Sequence, residues 1–167
     1  MKINLMLTCI ATVGSCISLS AQTRQPSIAI RPFVVKSKQS LYELEKKLSV
    51  DNKVEDIIGG AGMETRVAIQ HDKKRVGADA EVHDASDDVY YVLKGQATLV
   101  LGGKLDSPRE ASAGEWKSKT IIGGQAIEIK EGDLIVVPRG TPHQRTVTGK
   151  GFSMILIKVF EDPIPAK

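Results

Sequence analysis

Cysteine is scarce in this chain and placed where it can do little. Both copies, Cys9 and Cys16, lie in an apolar N-terminal stretch. The rest of the chain therefore has no disulfide, no thiol nucleophile and no thiolate metal ligand. Aromatic residues make up only 4% of the sequence, which argues against a stacking platform for nucleic-acid bases. The formal net charge is +3, with acidic and basic residues interspersed. The clustered basic face of a nucleic-acid-binding domain is missing. Beyond the N-terminal stretch no apolar run is long enough to span a membrane. There is no helical period of useful length after Gly62 and no internal repeat. A Ser-His-Asp arrangement, a phosphate loop and a Cys-His dyad are also absent.

What remains is one ordinary domain's worth of chain, 167 residues, behind a leader-like start. "MKINLMLTCIATVGSCISLSAQ" has one Lys, an apolar run and then small residues, the layout of a secretory signal peptide covering 1–21. Export to the periplasm or the exterior is expected, with cleavage near Ala21. A lipoprotein box at Cys16 ("VGSC") is the alternative, and the apolar "ISLS" that follows argues against it. Residues 22–62 read as a polar arm, in which "IAIRPFVV" can add an edge strand, followed by a helix. In "SLYELEKKLS" Ser40 is placed to cap and Glu43 follows three residues later, while Leu41, Leu44 and Leu48 share a face. "DNKVEDII" reads as a second short turn.

Residues 63–162 read as β structure, with 163–167 as a tail. "TRVAIQ", "DAEVH", "DVYYVL", "ATLVL", "AIEI", "DLIVV", "QRTV" and "FSMILIKVF" are short apolar or alternating runs, mostly punctuated by Gly, Pro, Asp or Lys. That pattern predicts an all-β sandwich or barrel. "LKGQATLVLGG" signals a hairpin with Gly95 at its turn. The gap from Lys104 to Gly124 is too long for a tight turn and holds the only tryptophan, Trp116, expected to pin the loop to the barrel surface.

Two stretches carry the chemistry. In an extended "DAEVH", Glu81 and His83 project to one face, and across the turn "DASD" the strand starting at Asp88 sends Tyr90 the same way. "GDLIVVPRGTPHQ" delivers His143 after a stiff Pro/Gly approach, with Arg145 and Val147 on its side. Two imidazoles and one or two carboxylates suit a divalent transition metal such as Fe, Mn, Zn, Co or Ni. Arg145 is a candidate for binding a substrate carboxylate or phosphate, or else for pairing with Asp88 or Glu81. Tyr90 is a candidate hydrogen-bond donor beside the site, or a core residue. His71, in the charged "QHDKKR", is expected to be solvated.

These stretches resemble the paired motifs of the cupin superfamily. The first motif there reads His-x-His, four or three residues, Glu, six residues, Gly. Here His83 and Gly95 match, while Glu81 stands at the first His and Asp88 at the Glu, which changes the implied ligands from three His and one carboxylate to two His and two carboxylates. The second reads Gly, five residues, Pro-x-Gly, two residues, His, three residues, Asn; here Gly132, Pro138, Gly140 and His143 match, and Val147 stands at Asn. The first motif's leading Gly falls at Arg75. The resemblance implies a double-stranded β-helix (jelly-roll, cupin) barrel with a short helical N-terminal preface. It implies metal ligands His83, Asp88 and His143, with Glu81 as a fourth, and a homodimer built by sharing edge strands. Two functions follow as expectations. One is an exported protein binding a divalent metal and a small anionic organic ligand. The other is a metal-dependent enzyme, either a dioxygenase or an isomerase or lyase.

Overall fold

The computed structural model describes residues 25–165, so the segment expected to be a signal peptide, with both cysteines, lies outside the described residues. The chain divides into two units, Met1–Pro32 and Phe33–Lys167. The described residues of the first, 25–32, have no regular secondary structure, and their side chains are exposed.

The second unit begins with one helix and continues as strands: α1 (Lys38–Leu48), β1 (Lys53–Ile58), β2 (Thr65–Asp72), β3 (Ala80–His83), β4 (Ser86–Leu101), β5 (Lys104–Leu105), β6 (Arg109–Ser112), β7 (Glu115–Ser118), β8 (Ile121–Ile122), β9 (Gln125–Lys130), β10 (Leu134–Val137), β11 (His143–Thr146) and β12 (Phe152–Phe160). The helix starts earlier than its sequence suggested. Ser37, not Ser40, is the cap, and its hydroxyl accepts from the Ser40 backbone N–H at 3.1 Å. "DNKVEDII" is not a turn; it contributes β1, which pairs antiparallel with β2. The long gap before Gly124 is itself stranded, with β6 on β7 and β5 on β8.

β4 organises the fold. Its first half lies between β12 and β10, and its second half between β9 and β11. One sheet therefore runs β1-β2-β12-β4-β10, the other β9-β4-β11-β3-β7-β6, and β4 is common to both. Gly95 is where it passes from one to the other, so the hairpin expected there does not form. Its φ is +81, and a Cβ would collide with the Gly151 carbonyl. Beside it the register with β12 slips: Ser153 faces Lys94, and Met154 faces Val92. That bulge switches which alternate residues point inward, from Asp88, Tyr90 and Val92 to Ala97 and Leu99, all buried.

The interior is apolar at one end and polar at the other. Val92, Leu99, Ile129, Val137, Val147, Phe152 and Met154 belong to the core; full burial of a side chain such as Phe152 contributes about 1.5–3 kcal/mol. Continuing inward-facing rows reach Asp88 on β4, His143 on β11 and Lys158 on β12, which line a cavity.

The outer face of β2 is covered by α1, and the contact is partly polar. Glu45 is buried and accepts from the Ser153 hydroxyl at 2.9 Å, while that hydroxyl lies 2.8 Å from His71 Nδ1. His71 is thus a buried residue in this network and not the solvated one its charged neighbours suggested. Glu45→Ala strips the buried hydroxyl of its charged acceptor and should destabilise the chain by about 1–3 kcal/mol. In urea unfolding the midpoint should fall with the slope unchanged; an unaltered midpoint would show that α1 is not clasped here.

Candidate metal centre

The four predicted metal residues converge, though by a different route from the hairpin expected. β3 does not pair with β4; it lies between β11 and β7. His143 stands opposite Glu81 in register, and Gly140 N–H donates to the His83 carbonyl at 2.8 Å. Glu81, His83 and His143 each offer one donor atom, all within 4.8 Å of one another. The two imidazole centroids are 5.0 Å apart.

Each imidazole is tied at the same nitrogen. His83 Nδ1 is 2.5 Å from a Glu115 carboxylate oxygen, and His143 Nδ1 is 3.0 Å from the Thr141 carbonyl. Both partners only accept, so in each neutral ring the proton sits on Nδ1 and the lone pair on Nε2. Those two Nε2 atoms flank one Asp88 oxygen, at 3.5 Å from His83 and 3.9 Å from His143. A metal-binding histidine usually has this arrangement, with the outer N–H held by a carboxylate or carbonyl.

The two carboxylates differ in their commitments. Asp88 Oδ1 is 2.6 Å from Lys158 Nζ, and its Oδ2 accepts from the Tyr90 hydroxyl at 3.0 Å. Glu81 is bonded through Oε1 to Lys117 at 3.0 Å. Burial works against both charges, yet both carboxyls are held below their usual range. For Asp88 the nearby His83 and Lys158 outweigh burial; for Glu81, Lys117 does. His83 is desolvated too, but Asp88 and Glu115 win and raise its pKa, with Lys158 opposing. In His143 burial dominates and lowers it. Tyr90 is pushed well above its ordinary value by burial and then by Asp88, so it keeps its proton and donates.

Glu81, His83, Asp88, Tyr90, His143 and Arg145 all line one cavity of about 300 Å³. Arg145 does not pair with Asp88 or Glu81. Its Nε and Nη2 donate to Asp72 Oδ2 at 3.0 and 2.8 Å, and its guanidinium lies over the Tyr90 and Phe152 rings at 5.7 and 5.6 Å. Trp116 is on β7, anchored by its indole N–H to Asp84 at 2.8 Å.

Glu115, Lys117, Lys158 and Asp72 were not singled out in the sequence. A signal existed for two of them. Glu115 and Lys117 are two apart on β7 and stand opposite His83 and Glu81 on β3, an acid-base alternation that mirrors its partner strand. Lys158 sits opposite Asp88 in register. Since Lys158 depresses the His83 pKa, Lys158→Met should raise it in metal-free protein. An NMR titration of the His83 ring reads this directly, and an unmoved midpoint would separate Lys158 from the site.

No family model and no curated protein matches the sequence. Solved structures do. A Bacillus halodurans protein aligns at TM-score 0.53 and 19% identity over 83% of this chain and 88% of its own. A Klebsiella pneumoniae protein with a double-stranded β-helix domain aligns at TM-score 0.46 and 15% identity, over 68% of this chain and 81% of that one. The Schizosaccharomyces pombe Cnp3 cupin domain aligns at 0.45 and 10%, over 64% and 59%. The chain has the cupin fold. Within this fold, Pro138, Gly140 and His143 make the turn into β11, and Gly95 is the point where β4 changes sheets.

Proposed function

We propose that this chain binds a divalent transition metal through His83, His143 and Glu81, with Asp88 beside them, and a small anionic organic molecule in the same cavity. The observation that carries the reading is the matched pair of imidazoles, each with its Nδ1–H anchored and its Nε2 turned to a common point. The donor set fits such an ion. It combines two neutral nitrogen donors with a carboxylate already held ionised, a mixture that suits Fe, Mn, Co, Ni or Zn. Bound there, the ion would act as a Lewis acid toward a ligand oxygen. The chain's own part is to keep the imidazoles in one tautomer through Glu115 and Thr141. It also holds Asp88 ionised between Lys158 and Tyr90, and encloses the ligand in about 300 Å³, at the small end of ligand cavities. Metal analysis of protein purified without chelator, followed by titration of Fe(II), Mn(II), Co(II), Ni(II) and Zn(II) into chelated protein, tests the reading. A chain that takes up none of them refutes it.

An enzymatic role is the second reading. What favours it is the three-donor set of two imidazoles and one carboxylate, which leaves a metal free to take a further ligand. Oxygen uptake by anaerobically Fe(II)-loaded protein with small phenols, thiols and keto acids tests the dioxygenase form.

We also read the chain as exported and homodimeric. Export rests on the leader-like layout of residues 1–21 and is checked by the mass of the mature N-terminus. Dimerisation is supported by an apolar outer sheet face. Leu134 and Val136 on β10 align with Tyr91 and Val89 on β4, and next with Ile155 and Ile157 on β12. Leu134 is 65% exposed and Val136 58%, an apolar surface that a second copy meeting it face to face would cover. The double variant Leu134→Glu, Val136→Glu is expected to run as a monomer in light scattering while keeping its circular dichroism spectrum. A wild-type monomer would end this reading.

A further inference from the structure

Of the three arginines that line the cavity, two share one counter-ion. Asp72, 2% exposed, gives its Oδ2 to both donors of Arg145 and its Oδ1 to the Gln70 amide at 3.2 Å. Arg75 is left with a distant contact, its Nη1 lying 4.0 Å from Asp72 Oδ1. Its Nε–H is enclosed and has no hydrogen-bond partner among the described residues. The other lining cations are better served. Arg66 is 2.7 Å from Asp56, and Lys158 is 2.6 Å from Asp88. The Asp72 cluster therefore carries one positive charge in excess, on Arg75, beside a cavity.

The position of Arg75 is not slack. Its backbone N–H and C=O both bond Val147, at 3.0 and 2.8 Å, an isolated antiparallel bridge that fixes its Cα against the end of β11. The side chain is about one quarter exposed. A buried or half-buried guanidinium without a counter-ion is costly. Here the strand bridge holds it in place with its nearest recorded carboxylate oxygen 4.0 Å away, which leaves the fork open to an acceptor entering the cavity.

We propose that Arg75 anchors the carboxylate of a small organic acid occupying this cavity, while Arg145 is held by Asp72 and has a structural role. The proposal rests on reading the cavity as a ligand site and names the ligand's class. The planar guanidinium fork matches a planar carboxylate. One uncompensated charge matches a monoanionic group better than a phosphate, which carries roughly −1.5 to −2 near neutrality.

Calorimetric titration with acetate, pyruvate, benzoate, benzamide and inorganic phosphate tests it, on protein as purified and again after chelation. Expected are binding of at least one of the three carboxylates, no binding of the neutral amide, and weaker binding of phosphate. Arg75→Gln should weaken the carboxylate about 10- to 100-fold, and Arg75→Lys should fall between it and wild type. The chelated sample separates this result from the metal reading, because Arg75 should matter equally with and without metal. The proposal is overturned if benzamide binds as well as benzoate, if no carboxylate binds, if phosphate binds best, or if folded Arg75→Gln binds unchanged. Circular dichroism establishes folding for both variants, and Arg75→Lys preserves the test should Arg75→Gln fail to fold.

Discussion

Elemental analysis is expected to find a bound divalent metal in the wild type and none above background in His83→Ala or His143→Ala. Each substitution removes one of two nitrogen donors whose Nε2 atoms flank the same Asp88 oxygen, and the remaining imidazole with a carboxylate makes a poor site. Glu115→Gln gives a graded effect. It keeps the ring in place but weakens the bond that fixes its tautomer, so affinity should fall by about 10–100-fold. The carboxylates should also separate. Glu81→Gln neutralises a carboxylate whose donor oxygen lies within 4.8 Å of a donor nitrogen on each imidazole. Asp88→Asn neutralises a carboxylate whose two oxygens are already engaged by Lys158 and Tyr90, and should cost less metal affinity.

Proton competition gives these measurements a pH axis. The His83 pKa is raised above its ordinary 6.5. In metal-free protein its proton therefore contributes stability that is fully present below about 6.5 and is lost as pH rises through the raised value. Metal needs that same nitrogen deprotonated. The thermal stabilisation produced by added metal should accordingly grow as pH is raised through the His83 titration and fade as it is lowered. Unchanged metal content in both histidine variants would remove the site altogether.

Much of this centre was legible because local alternation fixes side-chain direction. Glu81 and His83 are two apart on β3, Asp88 and Tyr90 on β4, and His143 and Arg145 on β11, and period two sends each pair to the cavity face. The strand partners were not legible. Glu115 reaches His83, and Lys158 reaches Asp88, across separations of 32 and 70 residues, and nothing local specifies which strand lies beside which. Arg145 was weighed against the acidic residues of the two motifs, yet Asp72, 73 positions away, holds it. His71 failed for a related reason. Its charged neighbours in sequence suggested solvent, whereas the packing of α1 on β2 puts it with Glu45 in a buried hydrogen-bonded contact with Ser153. Gly95 was misread as a hairpin turn because a glycine flanked by alternating apolar residues serves a turn and a strand bend equally well. The choice is made by the neighbours, since the Gly151 carbonyl leaves no room for a Cβ.

Asp72→Ala is expected to be the most destabilising change at the cavity, by about 3–5 kcal/mol, because it leaves a buried cation without its partner. The Arg145 side chain is only 7% exposed, and both of its hydrogen bonds end on Asp72 Oδ2. Two aromatic rings 5.6 and 5.7 Å away offer it only cation–π attraction, worth about 2 kcal/mol when desolvated. Arg75 would also lose the nearest carboxylate, and two positive charges would then face each other across the gap. Arg145→Met should cost less than Asp72→Ala. It removes the buried charge, keeps the stem's apolar packing, and leaves Asp72 bonded to Gln70 and free to draw in Arg75. Denaturant midpoints of the two single variants and of the double variant decide the matter. If Arg145 is structural, the double variant is more stable than Asp72→Ala alone, because the unpaired charge that made the single change costly is gone. If Asp72→Ala unfolds at the wild-type midpoint, the pair contributes nothing to the fold, and Arg145 becomes as available to an incoming anion as Arg75.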